Sequence, residues 1–351
     1  MDSDHHSEFT LRKETFFIPE MPGNYEAAHK SPSGPGDARP TALQILQDED
    51  LVGKLEGKVI FITGCSSGLG VQTAQALYES GATLYLAARD LKKMRAALQV
   101  SGIVSSPRVH LLPLDLNSLA SVRACADQFK AECSTLNILI ANAGVMACAE
   151  SRTLDGFETQ FGVNHLAHFL LLNLLKPILL TSSTPNLNSR YVIVSSVAHN
   201  YGDVSFDNIN LEGEYNHWKT YGQSKTAGIW TANCVERLYG SNGLHAFSLH
   251  PGGIATDLQR HVPEEMKAWA QDKDGARYWK CPEQGAATSV WAAISKELEG
   301  KGGKYLENCS IAGPNTPGEN GQMAGYAAWA YNPDAEAKLW AKSMEMVGLQ
   351  E

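Results

Sequence analysis

Tyr221 and Lys225 stand one helical turn apart in the run Tyr-Gly-Gln-Ser-Lys. Residues at that spacing share a helix face, which brings a phenol and an ammonium together. A nearby ammonium favours the phenolate and lowers a pKa that starts near ~10, so such a tyrosine can take up or release a proton at neutral pH. Alone the pair carries little weight, because tyrosine and lysine one turn apart also decorate many solvated helix faces. Other polar groups stand where they could join it. Asn142-Ala143-Gly144 and Ser195-Ser196 each close an apolar run, and Asn164 sits in Val-Asn-His-Leu at the head of a long apolar segment.

A second set of residues could hold an anion. The apolar run 59–63 leads into Gly64-Cys65-Ser66-Ser67-Gly68-Leu69-Gly70, and a helical pattern follows. Glycines let the chain turn sharply and let its backbone approach a pyrophosphate, while the helix N-terminus offers free N–H groups and the positive end of its dipole. The position after a first strand and before a first helix is what dinucleotide binding requires. The next strand ends at Ala88-Arg89-Asp90, where such folds meet the adenosine ribose. Arg89 favours the 2′-phosphate of NADP(H). Asp90 leaves NAD(H) open, and it also suits the N-cap of the following helix. Asp115-Leu116, after the third strand, could hold the adenine edge. The same glycine loop also reads as G-x-S-x-G, the nucleophile elbow of a serine hydrolase with Ser66 as nucleophile. That elbow normally follows several strands, and here one precedes it.

The elements that must position these groups alternate. Strands are expected at 59–63, 83–87, 109–113, 136–141, 191–195, 245–250 and 304–306, and helices at 69–80, 91–100, 118–133, 155–180 and 221–239. Several strands are continuous apolar runs, as expected where helices cover both faces of a sheet. The pattern predicts an α/β fold: a Rossmann-type, doubly wound parallel sheet with right-handed crossovers, in a single domain over 41–351. Thr41 is a plausible N-cap for a short helix at 41–51. Residues 1–40, rich in Pro, Gly, Ser and charge, read as a flexible or surface-draped extension. Beyond residue 260 the alternation fails and aromatics gather (Trp269, Tyr278, Trp279, Trp291, Tyr305, Tyr326, Trp329, Tyr331, Trp340), as extra helices packed on the sheet or as part of a substrate wall.

Taken in order, these motifs resemble the short-chain dehydrogenase/reductase family over about residues 55–260. Thr63-Gly64-x-x-x-Gly68-x-Gly70 matches its cofactor loop, Asn142-Ala143-Gly144 its Asn-Ala-Gly segment, and Tyr221-x-x-x-Lys225 its catalytic pair. Pro251-Gly252-Gly253 and Thr256 match the segment beside the nicotinamide, and Ala141 departs from the second Asn of many members. The resemblance implies that a bound nicotinamide carries the hydride, that Lys225 reaches the cofactor ribose, that the oxidised nicotinamide joins Lys225 in favouring the Tyr221 phenolate, and that Tyr221, beside the cofactor, is general acid or base. It implies that Ser196, with Ser195 as the alternative, holds the substrate oxygen, and that Asn164 holds a water linking Lys225 to solvent. Ser-Val-Ala-His at 196–199 and the long insert 197–220 resemble the retinol-dehydrogenase-like branch, whose members often reduce lipophilic carbonyls with NADPH. The implied substrate is a small carbonyl or alcohol, such as the polyketides and terpenoids of secondary metabolism, with specificity in 197–220 and 257–351. His199 could contact that substrate or cap the loop. Members often dimerise through the helices bearing Asn164 and Tyr221, so a homodimer is expected unless the terminal extensions block it. Members without redox activity use the same fold as cofactor sensors, isomerases or cyclases, but usually lack the Tyr, Lys or Ser that this chain keeps.

Composition excludes other classes. A net charge of −9 gives no basic footprint for nucleic acid. The seven cysteines are scattered without a C-x-x-C pair, and the eleven histidines make no H-E-x-x-H, so neither a disulfide framework nor a metal site is expected, even with His165 and His168 one turn apart. The N-terminus shows no apolar signal region, and the apolar stretch 166–180 is broken by His168, Asn173, Lys176 and Pro177. It is too short and polar to span a bilayer, which leaves a cytoplasmic protein with a buried or interface helix.

Overall fold

The computed structural model describes residues 25–262, 273–315 and 324–350. Ten strands run in chain order: β1 (Val59–Thr63), β2 (Thr83–Ala88), β3 (Val109–Pro113), β4 (Ile138–Ala141), β5 (Ser189–Val194), β6 (Leu244–His250), β7 (Gly253–Ile254), β8 (Trp279–Lys280), β9 (Lys304–Glu307) and β10 (Ser310–Ile311). Eight of them form one sheet in the order β10-β9-β6-β5-β4-β1-β2-β3. All neighbours are parallel except the edge pair β9–β10. The order reverses between β1 and β4, which opens a crevice at the carboxyl ends of the central strands, where doubly wound sheets bind ligands.

Helices α1 (Ala42–Asp48), α2 (Gly68–Tyr78), α3 (Leu91–Gln99), α4 (Leu119–Glu132), α5 (Thr159–Ser182), α6 (His217–Tyr239), α7 (Ala287–Ile294) and α8 (Pro333–Met346) cover both faces. Side chains start many of them: Thr41 accepts from the amide of Gln44, Asp90 from Lys93, Ser118 from Ser121, Asn216 from Trp218 and Lys219, and Asn332 from Ala335. Each such cap contributes about 1 kcal/mol. The Asn216 cap starts α6 four residues ahead of Tyr221, so the catalytic candidates sit inside a helix rather than at its frayed end.

β1 is buried on both faces. Val59 and Phe61 join one core with Tyr85, Phe129, Leu139 and Phe169, whereas Ile60 and Ile62 join another with Leu84, Leu86, Phe247 and Trp291. Burying a side chain of this size contributes about 1.5–3 kcal/mol, so both helical layers are held to the sheet.

Three elements differ from expectation. Glu158 accepts from the amides of Gln160 and Phe161, so α5 begins at Thr159, and a π turn at Gly162–Leu166 interrupts it. The pairs β7–β8 and β9–β10 have two-residue members without a periodic signature. Asn308 and Cys309, both left-handed (φ +53° and +54°), make the β9–β10 turn, a conformation that Asn favours and Cys does not advertise. Of the two readings of the N-terminal extension, its described part, residues 25–40, takes the surface-draped one: Tyr25 donates its hydroxyl to Asp48 at 2.9 Å, and Arg39 is 4 % exposed. Residues 1–24, and Trp269 of the tail, lie outside the described residues.

Among the described residues α5 is long and apolar enough to cross a membrane, but 67 % of its apolar window is buried inside the fold. The chain's own α8, packed on α6, meets the first turns of α5 at Phe169 and His165, while Leu174, Ile178 and Leu180 farther along α5 stay partly exposed. Trp340 packs edge-on against Phe169 (ring centres 4.9 Å apart), Ser343 pairs with His165 at 2.8 Å, and Glu336 accepts from Asn233 of α6 at 2.9 Å.

Candidate active site

A cleft of about 780 Å³ follows the carboxyl ends of the central strands. Gly64, Ser66, Ser67, Gly68 and Leu69 line its middle, Arg89, Asp115 and Leu116 one end, and Ser196, Tyr221 and Lys225 the other. Asn142, Ala143, Gly144, Pro251, Gly252 and Thr256 complete the walls. Gly70 lies just behind them.

The middle is shaped by backbone. The Thr63 hydroxyl accepts the amides of Asn142 and Ala143, each at 3.0 Å, and Asn142 donates its side-chain amide to the Thr63 carbonyl at 2.9 Å. These bonds press the loop after β1 against the end of β4. A Cβ on Gly70 would stand 2.3 Å from the Gly64 carbonyl oxygen, and one on Gly64 would stand 2.8 Å from the Ala143 backbone. Gly64 also has φ +79°, which glycine adopts freely. Ser67 sits at the N-cap of α2 without making a side-chain cap, so the first amides of α2 keep their donors. A bare cradle at a helix N-terminus fits a pyrophosphate. Cys65 is fully buried and bonds the Ile62 carbonyl. Ser66 has no imidazole or carboxylate hydrogen-bonded to it among the described residues, so the hydrolase reading lacks its base.

At the adenosine end the Asp90 carboxylate caps α3 by accepting the Lys93 amide at 2.9 Å. Arg89 is exposed on the cleft with no protein partner among the described residues. The Asp115 carboxylate turns to the Asn117 amide at 3.0 Å. Lys93 pairs across the mouth with Asp257 at 2.7 Å. Sequence spacing gives no hint of that pair, because the partners come from separate crossovers.

At the other end the two serines part. Ser195 donates to the Lys225 carbonyl at 2.9 Å and so anchors α6. Ser196 lies on the cleft beside Tyr221. Tyr221 is 3 % exposed, and burial pushes its pKa well above the ordinary phenol value, with the nearby Ser196 hydroxyl pulling the other way. Burial lowers Lys225 to about 8. Its ammonium donates to the Val194 carbonyl at 2.8 Å and lies 5.5 Å from the Tyr221 ring centre. The expected lowering of the Tyr221 pKa is therefore not delivered by the protein's own groups. Burial raises the phenol and lowers the ammonium alike, because desolvation disfavours the charged form of each.

Asn164 lies in the π turn of α5, a device often found at functional sites. Its side-chain oxygen accepts the Val145 amide at 2.8 Å, and its NH₂ donates to the Val145 carbonyl (2.9 Å) and to Ser224 Oγ (3.0 Å). Ser224 in turn donates to the Tyr221 carbonyl at 2.7 Å. Both Asn164 donors are thus used inside the protein. The side chain ties the loop after β4 to α6.

The neighbouring imidazoles are neutral braces. His168 is lowered to about 4 by burial; its Nδ1–H donates to the Asn164 carbonyl, which leaves Nε2 to accept the Thr63 hydroxyl at 3.0 Å. No metal-binding cluster occurs among the described residues. His199 faces away from the cleft. Nδ1 bonds the Ser196 carbonyl at 2.7 Å and Nε2 accepts the Ala327 amide at 2.9 Å, so it locks the loop after β5 to the tail. No described residue beyond Arg260 lines the cleft; the described tail braces its walls from behind. Sequence reasoning missed the lining residues Val145, Met146, Val163, Leu258 and Gln259, which carry no motif.

A family profile described as short chain dehydrogenase matches residues 58–267. The chain is 51 % identical over 331 residues to "Short-chain dehydrogenase/reductase prx1" of Penicillium rubens, covering 94 % of this chain and 96 % of that one. It is 38 % identical over 298 residues to human "Retinol dehydrogenase 11", covering 84 % and 87 %. A crystal structure of an uncharacterized protein from Mycobacterium paratuberculosis superposes with a TM-score of 0.63 at 31 % identity, over 86 % of this chain and 97 % of that one.

Proposed function

The chain belongs to the short-chain dehydrogenase/reductase family and is an oxidoreductase, and from that premise we propose that it uses NADP(H) to interconvert a carbonyl and an alcohol on a lipophilic organic molecule. The observation that carries the proposal is the convergence of Ser196, Tyr221 and Lys225 at one end of a cleft whose middle is a bare glycine cradle.

When bound, the nicotinamide supplies or accepts the hydride. The cradle residues Gly64 to Gly70 and the first amides of α2 would hold the pyrophosphate, and Arg89 the 2′-phosphate. Asp90 caps α3 through one carboxylate oxygen, whereas Arg89 stands on the cleft with its guanidinium unpaired among the described residues, which supports NADP(H) over NAD(H). Ser196 orients the substrate oxygen beside Tyr221. The Tyr221 hydroxyl gives its proton to that oxygen in reduction and takes it back in oxidation. Lys225 places a cation behind the phenol, and the positive charge of an oxidised nicotinamide adds to it. Together they offset the desolvation that otherwise holds the phenol protonated. Val145, Met146, Val163 and Leu258 supply apolar wall, which supports a lipophilic substrate of the kind made in secondary metabolism.

Thermal unfolding of the full chain with NADPH, with NADH and alone tests the reading. NADPH is expected to raise the midpoint selectively, and Arg89→Asp to abolish that selectivity. No shift with either nucleotide would refute the reading.

A further inference from the structure

Arg39 is buried and lines no part of the cleft. Its Nε donates to Asp37 Oδ1 at 2.8 Å, in a pair whose side chains are 3 % and 8 % exposed. Its Nη1 donates to the Tyr278 carbonyl at 3.0 Å, and its Nη2 is shared among the carbonyls of Trp279 (2.6 Å), Gly34 (3.1 Å) and Arg277 (3.4 Å). A buried guanidinium is costly unless paired and hydrogen-bonded, and its flat fork of donors suits a row of successive carbonyls. Gln284 closes the arrangement by donating to the Asp37 and Arg39 carbonyls (3.0 and 2.9 Å) and accepting the Gly36 amide at 3.0 Å.

The gripped carbonyls lead into β8. In the β7–β8 pair Trp279 stands opposite Gly253 and Lys280 opposite Ile254. Lys280, 4 % exposed, donates to the Pro251 carbonyl at 3.2 Å and to Asn308 at 2.9 Å. Gly252, at φ +106°, would bring a Cβ to 2.9 Å from the Lys280 side chain. Pro251, Gly252, Gly253 and Ile254 form the cleft wall. Arg39 thus reaches that wall through two layers of backbone while lining none of it. The adenosine end, built on β2 and β3, takes no hydrogen bond from residues 33–40 among the described residues.

We propose that residues 33–40 are a strap belonging to the active site, and that Arg39 is a positioning residue which fixes the 251–254 wall through β8 and β7. The proposal rests on the NADP(H) reading, in which this wall faces the nicotinamide half of the cofactor.

Titration calorimetry of the full chain with NADPH and with 2′,5′-ADP, which carries only the adenosine half, separates the two ends. Arg39→Ala is expected to weaken NADPH by about tenfold or more while leaving 2′,5′-ADP within about twofold. Equal weakening of both ligands would mean a general structural role and overturn the strap, as would unchanged NADPH binding. If Arg39→Ala does not fold, Asp37→Asn, which leaves the fork in place, is expected to give the same one-sided loss at smaller size, and an equal loss or none overturns the strap. A wild-type chain that binds neither ligand would sink the NADP(H) reading itself. Binding of both by the wild type, with an unchanged ratio in the variants, sinks the strap alone.

Discussion

The two ends of the cleft are built by different means. The phosphate cradle is made of backbone and absent side chains: Gly64 and Gly70 have no room for a Cβ, and Thr63 and Asn142 stitch the ends of adjacent strands. Most of its contacts lie within residues 63–70 or reach the neighbouring strand at 142–143. The catalytic end is held by side chains reaching from remote chain. Ser196 is fixed through His199 by Ala327, Tyr221 through Ser224 by Asn164, and the 251–254 wall through Lys280 and Arg39. The first design tolerates little change anywhere in a short string of residues. The second spreads its tolerance over many positions, each replaceable by another way of bracing the same loop.

The largest effect is expected where chemistry depends on one atom. Tyr221→Phe removes the hydroxyl and keeps the packing. Turnover with a carbonyl substrate is expected to fall by about 10²–10⁴, equivalent to roughly 3–5 kcal/mol on the barrier. NADPH affinity, measured by calorimetry, should stay within about twofold, because the cradle does not use the phenol. A matching loss of affinity would show that the two ends are not separable.

Gly70→Ala attacks the other end. The added methyl meets a backbone oxygen at 2.3 Å, which no side-chain rotation relieves. A loss of about 3 kcal/mol in denaturant unfolding is expected, at the upper end for overpacking, together with loss of nucleotide binding. Gly213→Ala is the control. It has φ +72° but open space around it, so it should cost only about 1 kcal/mol of backbone strain and leave binding intact.

This contrast also explains what could be read from the chain. The apolar runs at β1 to β6, the glycine loop and the Tyr221–Lys225 spacing follow from local periodicity and turn sterics, so the doubly wound sheet and the cleft residues were legible. The parting of Ser195 from Ser196 needed the backbone just after β5, which turns the Ser195 hydroxyl to the Lys225 carbonyl. The Lys93–Asp257 pair, the contacts of α8 with Phe169 and His165 of α5, and the grip of Arg39 were not legible. Each joins residues with more than 150 positions between them, and a surface lysine or a linker arginine looks the same whether or not a partner is waiting. The burial that raises the Tyr221 pKa in the nucleotide-free protein also escaped, since burial cannot be read from an i, i+4 pair.

A smaller effect is expected from a brace of the catalytic end. His199→Leu keeps the volume but leaves the Ala327 amide without its partner and takes from the Ser196 carbonyl one of its two donors, the backbone amide of residue 199 being the other. Unfolding should lose about 2 kcal/mol, the usual penalty for unsatisfied buried groups. Turnover should fall more than NADPH affinity does, because Ser196 loses its fixed loop. A variant with the reverse pattern would place His199 with the cofactor and blur the division between the two ends.

The smallest effect concerns the cost of keeping Lys225 in place. Burial lowers it from 10.5 to about 8. Its folded value thus lies below its unfolded value, so the unfolded chain binds more protons between pH 8 and 10.5 and stability from this group rises with pH across that window. Below pH 8 both states are charged, and the full desolvation cost is present. At 1.36 kcal/mol per pKa unit that cost is about 3 kcal/mol; loss of the bond to Val194 offsets part of any gain from removing it. Lys225→Met, free of nucleotide, is therefore expected to be more stable than the wild type by about 1–2 kcal/mol at pH 7 while losing turnover. The gap should narrow as the pH approaches 9.5, below the range where tyrosines ionise. Equal stability at every pH would mean that the Val194 carbonyl compensates the buried charge in full, and that the catalytic end holds its lysine at no cost to the fold.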